Sequence, residues 1–79
     1  MLGEEIMTKT LTAFIQSEGS GFVSLCPELN IASQGDTVGQ ARDNLREAVE
    51  LFCECASPHE VEQRMNEEVF ITQIEVAIG

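Results

Sequence analysis

The spacing of apolar residues changes twice along the chain, and that switch limits the possible folds more than any other feature. From Ile6 to Ser17 the period is two: Met7, Leu11, Ala13 and Ile15 share one strand face, while Thr8, Thr10, Thr12 and Phe14 take the other. Ser17-Glu18-Gly19-Ser20-Gly21 reads as a turn, because glycine tolerates positive φ and serine bonds the local backbone. Phe22 to Cys26 is the return strand. Pro27 cannot donate to a ladder and belongs at a strand end, and Ile31 to Gln34 runs back as a third strand.

The period then becomes helical. Thr37 can cap a helix whose Gln40, three residues on, reaches back to close a capping box. Ala41, Leu45, Ala48, Val49, Phe52 and Cys55 fall on one stripe, which must face the sheet. Gly35 lets the chain turn into this helix. Gly39 in its first turn implies either a fraying start or a close backbone approach. Ser57-Pro58-His59-Glu60 starts a second, short helix ending near Asn66. From Val69 to Ile78 the period returns to two, with Phe70, Ile74, Val76 and Ile78 opposite Val69, Ile71 and Ala77. The expected architecture is α+β: a three-stranded antiparallel meander, a long helix, a short helix, and a final strand beside the first, all in one domain spanning residues 1–79.

Length and charge narrow the function. A chain of 79 residues buries only about 60% of its unfolded surface. One long helix covers one sheet face, which leaves Phe14, Val69 and Ile71 on the other uncovered. A homodimer or dimer of dimers is therefore expected. Four basic residues (Lys9, Arg42, Arg46, Arg64) against fourteen acidic ones give a net charge of −10. Such a surface repels phosphate, so direct nucleic-acid binding is disfavoured and a basic protein partner is the natural complement. No stretch is apolar and long enough for a membrane span or a signal peptide, and three cysteines without a paired framework fit reduced thiols, so a cytoplasmic protein is expected.

Gly21-Phe22, Cys26-Pro27-Glu28-Leu29, and Gly35-Asp36-Thr37 followed by Ala41 and Leu45 together resemble the HicB antitoxin family over residues 14 to 56. In that family an aromatic strand ends in Pro-x-Leu, and a Gly-Asp/Glu-Ser/Thr step opens an alanine-rich helix. The resemblance implies a partial ribonuclease-H-like fold that binds and blocks HicA, a small basic RNA-cleaving toxin of double-stranded-RNA-binding shape. This chain departs from the pattern in carrying Asn30-Ile31-Ala32 where members often have Pro-Gly-Cys, and Gln40 where a glutamate is usual. The C-terminal DNA-binding domain of many antitoxins is not expected here, and operator binding is not carried over.

Asp43, Glu47, Glu50 and Glu54 lie within roughly 60° of one another around the long helix, opposite its apolar stripe. This carboxylate ridge is the candidate partner site; the plainer reading is a solvated helix face with an Arg46 to Glu50 pair. A competing contact is the turn and strand-end segment around Glu18 and Glu28. Cys53, Cys55 and His59 are too poorly spaced for zinc, and the two cysteines read as buried or half-buried structural thiols. Cys26 has no base at a recognisable spacing. Two-metal hydrolysis needs converging carboxylates, yet the first strand contains no acid and the last offers only Glu75. No enzymatic activity, metal or cofactor is expected. The function classes left are an antitoxin-like inhibitor of a basic toxin and a stand-alone small oligomeric regulatory or scaffolding domain without a toxin.

Overall fold

The computed structural model describes residues 9–79. Three strands, β1 (Phe14–Glu18), β2 (Gly21–Cys26) and β3 (Ile31–Gly35), form an antiparallel sheet in the order β1-β2-β3. Two helices follow, α1 (Val38–Cys55) and α2 (Pro58–Met65). The fold is α+β, with α1 packed over one face of the sheet.

The register explains which side chains build the core. Phe14 faces Leu25, which faces Ala32, and this row lies away from α1; Ile15, Ser24 and Ser33 form the next row, toward it. Ser24 is buried there and its hydroxyl donates to the Ala41 carbonyl at 2.9 Å, so a polar side chain ties sheet to helix without an unpaired group. Cys26, Leu29 and Leu45 are the buried cluster, with Leu11, Ile31, Val49, Phe52 and Met65 packed around it. Each buried leucine contributes about 1.5–3 kcal/mol. Leu29 reaches the core because Pro27 ends β2 and Asn30 turns the chain back, with φ of 56° in the left-handed region that asparagine tolerates.

The β1–β2 turn is two residues long, Gly19-Ser20, with φ of 60° at Gly19. Positive φ at the first turn residue is what a II′ hairpin turn needs. Gly35 has another role: a Cβ there would meet the Ala41 nitrogen at 2.6 Å, so α1 starts hard against the end of β3. Around Gly39 the nearest atom to an added Cβ is the Thr37 Oγ1 at 4.0 Å, which removes the close-approach reading for that residue. Thr37 caps α1, its Oγ1 accepting from the Gln40 N–H at 3.0 Å. The Gln40 side chain accepts from the Asp36 N–H, one residue before the position that a capping box requires. Ser57 and Pro58 start α2 as expected, with the Ser57 Oγ accepting from the Glu60 N–H at 3.1 Å.

Three expectations need correction. The first strand was expected from Ile6; residues 6–8 lie outside the described residues, and the ladder begins only at Phe14. Continuing the register puts Thr12 opposite Pro27, which has no N–H to give, and the Glu28 carboxylate takes the Thr12 N–H instead. Cys55, assigned to the apolar stripe, is exposed at the end of α1. The final strand at Val69 to Ile78 is not formed: a strand exists through its ladder, and no other strand lies alongside this segment among the described residues.

Candidate functional site

All four carboxylates of the predicted ridge are exposed on α1. Glu47, Glu50 and Glu54 line one shallow depression with Ala48 and Leu51, and Leu51 is 61% exposed. An apolar side chain rimmed by three carboxylates offers both contact area and charge to a basic surface. Asp43 stands apart from this group. It pairs with Arg42 at 3.5 Å and with Arg46 at 3.9 Å, so Arg46 turns toward Asp43 rather than toward Glu50. The ridge thus splits into a neutralised N-terminal part and a free acidic part around Leu51, the residue that charge patterning alone passed over.

Glu18 and Glu28 do not form one patch. Glu18 sits at the β1–β2 hairpin and lines a polar depression with Phe22, Gln34, Asp36, Gln40 and Asn44. Glu28 lies in the turn at the other end of β2, and the six residues of β2 span roughly 17 Å between them. Glu28 is also engaged: it accepts from the Thr12 N–H at 3.0 and 3.1 Å, from the Thr12 hydroxyl at 2.6 Å, and from the Cys26 thiol at 3.5 Å. Burial disfavours its charge, but the Thr12 hydroxyl and the backbone N–H groups outweigh that and hold its carboxyl below the usual range. Glu28 is therefore a clamp joining the segment before β1 to the β2–β3 turn.

The thiols divide by burial. Burial pushes the Cys26 thiol up, opposed by a backbone hydrogen bond at Leu29 and reinforced by the neighbouring Glu28 carboxylate, which makes it a poor nucleophile. Cys53 and Cys55, expected to be buried or half-buried, are instead exposed on the last turns of α1, where no other element covers them. Among the described residues, no group of three or more histidine, cysteine or acidic side chains is close enough to hold a metal ion. No helix among them is long and apolar enough to cross a membrane.

Besides Met65, which packs against the buried cluster, Arg64 ties α2 to the body. Arg64 donates to the Leu29 carbonyl at 2.8 Å and its guanidinium stands 5.1 Å from the centre of the Phe52 ring. This link joins the second helix to the Pro-x-Leu turn and to α1 together. Nothing in the local pattern of PHEVEQRM announces it, since the partners are far away in sequence.

No family model matches the chain, and no solved structure matches it. One curated relative, the UPF0150 protein ssl0738 of Synechocystis sp. (strain ATCC 27184 / PCC 6803 / Kazusa), is 40% identical over 50 residues, a span covering 61% of this chain and 69% of that protein. On that likeness, the chain belongs to the UPF0150 family.

Proposed function

We propose that the protein is an antitoxin of HicB type, which neutralises a small basic RNA-cleaving toxin of HicA type by direct contact and performs no chemistry of its own. The observation that carries this reading is the exposed Leu51 encircled by Glu47, Glu50 and Glu54 on a chain of net charge −10. A basic RNA-binding face is complementary to such a surface, and the anchor side chain lets contact persist once the charges have steered the encounter. The Cys26-Pro27-Glu28-Leu29 and Gly35-Asp36-Thr37 steps, which resemble the HicB family, support the same assignment. Glu28 ranks behind the ridge as a contact because its oxygens already accept from Thr12 and Cys26.

The experiment is co-expression with a HicA-type toxin, reading growth and co-purification for the native chain and for the Glu47→Lys, Glu50→Lys, Glu54→Lys triple variant. All three positions are exposed, so the variant keeps its fold, checked by circular dichroism. Growth rescue by the native chain with loss of rescue and of co-purification in the folded triple variant is the expected result. Equal rescue by both would move the contact off α1, toward the hairpin around Glu18.

A further inference from the structure

Ten residues, Val69 to Ile78, hold six of the ten exposed large apolar side chains among the described residues. Val69, Phe70, Ile71, Ile74, Val76 and Ile78 are 37–93% exposed, whereas among the described residues only Cys26, Leu29, Ala41 and Leu45 are buried as the apolar core. The segment has the wrong composition for a solvated tail. Seven of its ten residues are apolar, most of them β-branched or aromatic, and they alternate with the strand period. The molecule is also extended: its radius of gyration is 15.6 Å with extents of 63 × 28 × 18 Å, against about 11–12 Å for a compact chain of this length.

The sheet has one edge able to receive such a strand. At β3 the Asn44 side chain of α1 donates to the Gln34 carbonyl at 2.8 Å, so helix side chains attend that edge. At β1 one row of backbone N–H and C=O groups faces β2, and among the described residues no strand lies along the other. Lys9 to Glu18 is ten residues, the same length as the segment, and its first nine residues contain Lys9 and no acid. In a chain with fourteen acidic residues this is the stretch best suited to accept a strand carrying Glu75 behind Glu67 and Glu68.

From these observations we infer that Val69 to Ile78 is a strand donated to the β1 edge of a second copy of this chain, with the second copy returning its own, so that each sheet gains a fourth strand. Reciprocal exchange closes a two-fold dimer and leaves neither tail exposed, whereas a one-way donation would leave an open end and propagate. Phe70, Thr72, Ile74, Val76 and Ile78 form the more apolar of the two faces and turn toward the helix side, where they enlarge a core that one chain leaves small.

The test combines mass with isotope-filtered contacts on the full chain. Light scattering at micromolar concentration should give twice the chain mass. In a sample mixed from labelled and unlabelled chains, cross-peaks between the Val69–Ile78 segment and β1 should arise between chains. Ile74→Pro, which removes a ladder N–H in a segment carrying no structure of its own, should halve the mass while the spectrum of β1, β2, β3 and α1 persists. A single-chain mass for the native protein overturns the inference. Cross-peaks only within one chain, or an Ile74→Pro variant that remains a dimer, would overturn it equally, and the contacts in the native protein decide the matter even if that variant fails to fold.

Discussion

Replacing Glu28 by glutamine removes a charge but keeps the shape of the side chain, and the structure assigns that charge a mechanical task. The carboxylate accepts from the Thr12 N–H and, at 2.6 Å, from the Thr12 hydroxyl, closing the segment before β1 onto the turn that positions Leu29. Hydrogen bonds to a charged group contribute about 1.5–3 kcal/mol against about 0.5–1.5 for neutral ones. Glutamine retains a single neutral acceptor, so the expected loss is about 1.5 kcal/mol, or roughly 6–12 °C in Tm for a domain of this size. Linkage gives the pH signature. The folded carboxyl titrates below its ordinary value of 4.5, so its stabilisation is complete above that value and fades as pH falls through the lower folded pKa. Urea denaturation of native, Glu28→Gln, Thr12→Val and double-variant proteins, at fixed protomer concentration, near neutral and acidic pH, measures the coupling. A coupling energy near 1 kcal/mol that vanishes in acid is expected. Strict additivity of the two substitutions near neutral pH would refute the clamp.

The two glycines flanking the start of α1 should respond oppositely to alanine. Gly35→Ala brings a Cβ within 2.6 Å of the Ala41 nitrogen and should destabilise by about 1–3 kcal/mol, whereas Gly39→Ala meets open space and should stabilise by about 0.4–1 kcal/mol, both read by urea midpoint. A thiol reagent should modify Cys53 and Cys55 in the native protein and reach Cys26 only on unfolding, as mass spectrometry of partially labelled chains will report.

Local chemistry carried most of the architecture into the sequence. The Thr37 and Ser57 hydroxyls cap the two helix starts as read, although Gln40 bonds Asp36 instead of closing a box on Thr37, and Pro27 stops β2 where its missing N–H requires. What could not be read locally depends on distant partners. The Thr12–Glu28 clamp spans sixteen residues and the Arg64–Leu29 link thirty-five. Charge alone groups Glu28 with the acidic contact residues, and its bonds to Thr12 and Cys26 are not legible in the sequence. Val69 to Ile78 carries strand periodicity, yet no ladder forms on it among the described residues, because periodicity does not say which edge, or which chain, would supply one. On α1, charge spacing grouped Asp43 with Glu47, Glu50 and Glu54. The arginines flanking Asp43 and the exposed Leu51 among the others became visible only with side chains in place.

The claim that the acidic part of α1 is a docking surface is tested most directly by the association rate with a HicA-type toxin as a function of salt. Stopped-flow measurement on the native chain should show a rate that falls steeply between low and physiological ionic strength, because exposed charges farther apart than about 8–10 Å are screened there. The Glu47→Lys, Glu50→Lys, Glu54→Lys variant should associate more slowly at low salt and lose most of that salt dependence. A native rate indifferent to salt, or a variant whose rate and salt dependence match the native chain, would contradict the account.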